Sequence, residues 1–235
     1  MSKYTVIVSG GTLDASFVLP ILTGQNGWEN LQLEESAVRE EKEEIGYLIA
    51  VDAGLKFLYR HQILPDIIVG DFDSLEDGIL PWYQEHFSIP IRKFNPVKDA
   101  SDTEIAIRQA LEHGKDPIRI LGGTGTRIDH IWANVQCLKI AKDAGVEAEL
   151  LDPHNRIRLI DHELHLKKKE AFGPYFSLFT LGGAVEDLNI TGAKYPLSHH
   201  LLKPYDSLSV SNQIQEEEVV ITYGSGQLVL METRD

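Results

Sequence analysis

Up to Asp152 the chain alternates short, almost wholly apolar runs with stretches whose apolar residues recur every three or four positions. Tyr4 to Ser9 (YTVIVS), Tyr47 to Asp52 (YLIAVD), Asp66 to Gly70 (DIIVG), Ile89 to Phe94 (IPIRKF) and Ile118 to Leu121 (IRIL) predict strands. Asp102 to Glu112 sets Ile107, Ala110 and Leu111 at helical spacing, opens on a good N-capping residue and is soon followed by Gly114. Ile128 to Gly145 reads likewise, with Ile131, Val135 and Leu138 on one stripe. Apolar strands alternating with helices predict a Rossmann-like α/β domain over residues 1–152, a parallel sheet with helices on its faces. Such sheets bind ligands beyond the carboxyl ends of their strands, so the strand-to-helix loops are the place to look for chemistry.

After Asp152 the periodicity shortens. Arg156 to Ile160, Glu163 to Lys167, Tyr175 to Leu181, Val185 to Ile190, Ser207 to Val210, Val219 to Tyr223 and Gln227 to Met231 are β-like runs between turn residues. They predict a C-terminal antiparallel β-sandwich over residues 153–235, with the boundary near Asp152-Pro153-His154-Asn155. Gly224-Ser225-Gly226 links the last two runs and predicts a terminal hairpin. The charge run Glu34 to Glu44 (EESAVREEKEE) predicts a solvated helix face.

Composition narrows the possible chemistry. The 235 residues are 43% hydrophobic and 25% charged, and the mean hydropathy is -0.16, which argues against a disordered chain and against a membrane span. With 22 Lys+Arg against 36 Asp+Glu, the formal charge of -14 would repel nucleic acid and anionic lipid, so neither is an expected partner. A polyphosphate substrate would meet the same repulsion unless a divalent cation held by clustered carboxylates received it. Cys137 is the single cysteine and excludes an internal disulfide, and the first residues do not read as a leader; the expected address is cytoplasmic.

Clustered carboxylates fall where the strand pattern says ligands bind. Gly70-Asp71-Phe72-Asp73-Ser74 follows the strand DIIV, and two aspartates two apart in an extended segment point the same way. That pair reads either as a turn that caps the next helix or as a grip on a hard cation. Lys98-Asp99-Ala100-Ser101-Asp102 opens a helix, where Asp102 reads as a cap, a site residue or both. Gly122-Gly123-Thr124-Gly125-Thr126-Arg127-Ile128-Asp129-His130 lets backbone N–H groups approach phosphate, with the Arg127 guanidinium beside them. It is neither a P-loop nor the G-x-G-x-x-G fingerprint. Asp52, Asp71, Asp73, Asp99, Asp102 and Asp129 all lie at or just after predicted strand ends, and a metal-bound polyphosphate would relieve their mutual repulsion.

These blocks, together with Val51-Asp52-Ala53-Gly54, Leu64-Pro65-Asp66-Ile67-Ile68-Val69-Gly70-Asp71-Phe72-Asp73-Ser74 and Asn134, resemble the thiamine pyrophosphokinase family. Thr191-Gly192-Ala193-Lys194-Tyr195-Pro196-Leu197 and Val210-Ser211-Asn212 resemble that family's thiamine-binding sandwich. The resemblance implies pyrophosphoryl transfer from ATP to the hydroxyethyl oxygen of thiamine with Mg²⁺, releasing AMP, in a homodimer whose active site is shared between subunits. It implies Asp71, Asp73 and Asp102 as metal-proximal carboxylates, Asp99 as a helper, and Arg127 with Lys98 as a phosphate clamp. Asp52, Gly123 and Asp129 fall on the nucleotide side, Asp52 and Asp129 as site-shaping residues or polar substrate contacts; Tyr195 would stack on a thiamine ring next to Leu197, with Ser211 and Asn212 bonding the aminopyrimidine. The chain departs from the family pattern in three places: Ala53 for a second glycine, Ser101 for threonine, and Tyr195 where some members carry tryptophan, the better cation-π partner.

Two alternatives share parts of this pattern. A metal-dependent nucleotide phosphohydrolase would use the same carboxylates without thiamine, and a non-catalytic binding module would keep Tyr195, Ser211 and Asn212 without needing the aspartates. His162-Glu163-Leu164-His165 lacks the spacing of a zinc helix, and His199-His200 reads as a surface loop. Cys137, Trp82 and Trp132 read as packing residues.

Overall fold

The computed structural model describes residues 3–23, 44–73, 75–94 and 100–235. Most of the Glu34 to Glu44 run, Trp28, Lys98 and Asp99 lie outside the described residues. The chain divides into two units, Met1–Pro153 and His154–Asp235.

In the first unit, β1 (Lys3–Val8), β2 (Glu44–Val51), β3 (Ile67–Gly70), β4 (Ile91–Lys93), β5 (Ile118–Leu121) and β6 (Ala148–Leu151) form a parallel sheet in the order β6-β5-β1-β2-β3-β4. Its central strands are apolar because both faces are covered: Ile7, Ile49, Ile68 and Ile120 are fully buried. The covering helices are α1 (Ala15–Thr23), α2 (Gly54–Arg60), α3 (Ile79–His86), α4 (Asp102–His113) and α5 (Ile128–Asp143). Ile107 and Ala110 of α4 and Val135 and Leu138 of α5 are buried, as their spacing predicts, whereas Ile131 is only half-buried. The first three helices escape the pattern because they are short: seven residues of α2 supply too few turns for a period to register. The sheet also carries a buried ion pair, Arg119 to Glu149 at 2.7 Å across β5 and β6, with the guanidinium stacked over Tyr4.

The second unit is a sandwich. One sheet runs β12 (Asn212–Gln213), β9 (Tyr175–Thr180), β14 (Leu228–Thr233), β7 (Asn155–Ile160); the other runs β11 (Leu197–Leu202), β10 (Val185–Thr191), β13 (Glu218–Thr222), β8 (Glu163–Lys167). Phe176, Leu178, Leu188, Ile190, Val219, Ile221, Leu228 and Leu230 fill the space between them. Three sequence expectations fail here. The last two strands do not pair: β13 lies between β8 and β10, β14 between β7 and β9, so Gly224-Ser225-Gly226 crosses from one sheet to the other. Both strands are buried enough to serve either partner, and the glycine link, with Gly226 at φ 97°, does not decide between them. Ser207 to Val210 is a turn, its Ser209 hydroxyl donating to the Leu178 carbonyl at 2.6 Å. His199-His200 lies in β11 rather than in a loop.

Candidate active site

Strand order reverses beside β1, which has β2 on one side and β5 on the other, and this switch point opens the crevice predicted for ligands. Two glycine-bearing loops meet there. Gly11 N–H donates to the Gly122 carbonyl at 2.9 Å and Thr12 N–H to that of Thr124 at 2.8 Å. A Cβ on Gly11 would sit 2.1 Å from the Thr124 carbonyl oxygen, and Gly122 occupies φ 68°, so this approach requires glycine at both positions. Asn134 of α5, buried, donates to the Gly123 carbonyl at 2.7 Å and ties the second loop to its helix. Between the loops lies a cavity of about 560 Å³, walled by Ser9 to Gly11, Asp52, Ala53, Ser101, Asp102, Gly122 to Arg127, Asp129 and His130 among others.

Its charges are arranged by backbone geometry. Asp102 is the first residue of α4, whose preceding Ser101 accepts the Glu104 N–H at 3.2 Å; serine thus performs the capping that threonine would. Asp52, at the end of β2, hydrogen-bonds the Asp102 carboxyl. Burial, that bond and the nearby charge of Asp102 push the Asp52 carboxyl up to about 7 against the pull of the Phe72 N–H. Across the cavity mouth, Arg127 makes a two-pronged contact with Asp129, Nη2 to Oδ2 at 2.6 Å and Nε to Oδ1 at 3.2 Å. The pairing holds the Asp129 carboxyl below its ordinary range and leaves the fork exposed at the cavity.

Asp71 and Asp73 stand on the loop beside Asp52 and do not line the cavity: the Asp71 N–H donates to Asp52 Oδ1 at 3.1 Å, and the Asp73 N–H to Asp71 Oδ1 at 3.2 Å. Among the described residues no three His, Cys, Asp or Glu side chains are grouped as a metal ion would require. The donors nevertheless suit one. Carboxylate oxygens are what a hard cation takes, and the crowding of Asp52 against Asp102, eased by a shared hydrogen, is of the kind a cation relieves.

In the second unit Tyr195 is exposed at 54%, and the Lys194 ammonium lies over one face of its ring, 5.4 Å from the centroid. Asn212 holds it there rather than facing solvent. Its Oδ1 accepts the Tyr195 N–H at 3.0 Å and its Nδ2 donates to the Tyr195 carbonyl at 2.8 Å, and the residue is buried. The expectation that this side chain bonds an aminopyrimidine meets a side chain already committed to the backbone. Ser211 stands at φ 57° with its N–H on the Ser177 hydroxyl at 3.0 Å, and Leu197 packs against the sandwich core. Trp132, expected to pack, is exposed at 49% with Ile128 one turn away at 78%; Cys137 is half-buried, and burial pushes its thiol up. Thr124 and Thr126 join the cavity with the glycine loop that carries them, whereas Ser9 joins it without a prior signal, because a small polar residue beside glycine is ordinary turn chemistry.

The family model described as thiamin pyrophosphokinase, catalytic domain, matches residues 38–150, and that described as thiamin pyrophosphokinase, vitamin B1 binding domain, matches residues 161–228. The thiamine pyrophosphokinase of Bacillus subtilis is 28% identical over 192 residues, 80% of this chain and 87% of that protein. Thiamine pyrophosphokinase 2 of Oryza sativa subsp. japonica is 28% identical over 69% of this chain and 63% of its own length. The crystal structure of the Bacillus subtilis enzyme superposes over the full length of both chains with a TM-score of 0.80 at 25% identity. The Candida albicans enzyme, at 16% identity, shares the fold with a TM-score of 0.77 over 99% of this chain and 90% of its own.

Proposed function

The chain belongs to the thiamine pyrophosphokinase family, an enzyme family of ATP-dependent pyrophosphoryl transfer to thiamine, and we propose that the transfer takes place over the cavity at the carboxyl edge of the parallel sheet. The observation that carries this reading is the meeting, at one switch point, of two glycine loops, an arginine fork and an acidic pair that lie far apart in the chain. Relatives supply no support for a phosphohydrolase or a non-catalytic module.

In this reading the thiamine hydroxyl oxygen attacks the β-phosphorus of ATP in line. The new O–P bond forms as the bond from that phosphorus to the α,β-bridging oxygen breaks, and AMP leaves while the hydroxyl proton passes to solvent or a carboxylate. Glycine-loop N–H groups and the start of α5 receive phosphate oxygens, and Arg127, kept at the cavity mouth by Asp129, takes charge that develops on the transferring group. Lys98 and Asp99 would join as clamp and helper. Asp71, Asp73 and Asp102 would hold Mg²⁺, which when bound neutralises phosphate oxygens. Tyr195 would take a thiamine ring on its open face beside Leu197 and Ser211. The exposed apolar residues Leu201, Tyr205, Leu208 and Val210, with Ile128 and Trp132, support a homodimer in which one subunit's sandwich completes the other's site. The single cysteine supports a reducing, cytoplasmic address, and no helix among the described residues is long and apolar enough to cross a membrane.

The test is a ³¹P NMR time course with ATP, Mg²⁺ and thiamine. AMP formed only when thiamine is present is the expected result; ADP as the sole nucleotide product, or equal ATP loss without thiamine, refutes the reading.

A further inference from the structure

We infer that Asp52 is a positioning residue whose carboxylate, in the cavity wall, shapes the turn presenting Asp71 and Asp73. This rests on the reaction proposed above and adds a role that the two aspartates do not reveal by themselves. One oxygen, Asp52 Oδ1, accepts two successive backbone N–H groups, Asp71 at 3.1 Å and Phe72 at 3.2 Å. A carboxylate that gathers consecutive amides fixes the local backbone as a cap does. The backbone it fixes is otherwise unfavourable: Phe72 stands at φ 65° and Asp52 at φ 43°, and non-glycine residues keep such angles only where their surroundings impose them. The Asp52 N–H in turn donates to the Val69 carbonyl at 3.0 Å, so the residue is tied to β3 by its backbone and to the loop after β3 by its side chain.

Gly70 supplies the space. A Cβ at that position would lie 1.9 Å from Asp52 Oδ1, so the carboxylate reaches the turn only because residue 70 has no side chain. The same carboxyl hydrogen-bonds Asp102 at the start of α4. Asp52 therefore joins the strand end of β2, the loop after β3 and the first residue of α4, the places from which the proposed metal-proximal carboxylates arise.

Asparagine separates this role from ligation. Its Oδ1 accepts the same two N–H groups and its Nδ2 can donate to Asp102, but it is a poor ligand for a hard cation. The experiment compares Asp52→Asn, Asp52→Ala and Asp71→Asn in the full-length protein. It measures kcat and KM for thiamine-dependent AMP formation, and hydrogen exchange of the Asp71 and Phe72 amides without substrate. Positioning predicts that Asp52→Asn keeps kcat within ~10-fold of wild type while Asp52→Ala loses ~100-fold or more, with amide protection lost only in the alanine variant. Gly70→Ala should mimic Asp52→Ala, and the double variant should lose no more than either single one, because both remove one contact. An Asp52→Asn variant as inactive as Asp71→Asn, or amides equally protected in Asp52→Ala, overturns the inference. Absence of AMP formation by the wild type would instead overturn the reaction.

Discussion

Asp71 and Asp73 leave β3 two residues apart, and their value to the reaction depends on where the loop turns them. Each of Asp71→Asn and Asp73→Asn is expected to cut kcat by at least ~100-fold with an unchanged thermal midpoint, since in the proposed reaction the carboxylates would position the transferring group without supporting the core. Near-normal turnover in both variants would remove them from the site. Tyr195 carries a different kind of contribution, an exposed ring offered to a cationic heterocycle. Tyr195→Ala should therefore raise KM for thiamine and leave KM for ATP and kcat nearly constant in steady-state kinetics. Asn212 shows what residue type leaves open: an amide near a proposed ligand reads as a ligand contact, and its side chain also makes two bonds to the Tyr195 backbone and one to the Gln213 N–H. Nothing in the sequence distinguishes the two uses of one amide.

At the level of elements, helices hold the site by their first turns. Ser101 caps α4 immediately before Asp102, so Ser101→Ala should lower stability by about 0.5–2 kcal/mol, read as a drop in thermal midpoint. A stability equal to wild type would show that the helix start is held by other contacts. In the sandwich, β8 and β13 are joined by His165, whose ring nitrogens face Glu163 at 3.0 Å and Glu218 at 3.1 Å. Those two carboxylates raise the pKa of His165, so its folded form binds a proton more tightly than the unfolded chain does. The stabilisation is fully present below the ordinary histidine value of 6.5 and disappears as pH rises through the higher folded value. The melting-temperature advantage of wild type over His165→Gln should therefore shrink as pH rises above the ordinary histidine value of 6.5; a constant difference would contradict the pairing. Legibility followed the number of repeats an element carries. The twelve residues of α4 repeat their apolar spacing over three turns, whereas the two residues of β12 carry no period at all.

For the whole molecule, a net charge of -14 and a site lined with carboxylates would repel ATP, and in the proposed reaction the glycine loops, Arg127 and a cation would offset that field at one place. The exposed apolar residues of the second unit bear on assembly. If the proposed homodimer forms through this surface, Leu208→Glu, at a position 60% exposed, should convert it to monomers in sedimentation velocity and reduce activity with it; a variant that stays dimeric would move the interface elsewhere. Sequence alone determined the alternation of strands and helices, the break near Asp152, and the acidic and glycine-rich loops at strand ends, because period and turn chemistry are local properties that neighbouring residues impose on one another. Tertiary structure decided which strands pair, that β13 and β14 enter different sheets, that Asp129 holds Arg127, and that Asp52 grips the Asp71–Asp73 turn through space left by Gly70. Those outcomes turn on distances between segments remote in the chain, and burial patterns that admit several partners become unique only when the whole core is packed.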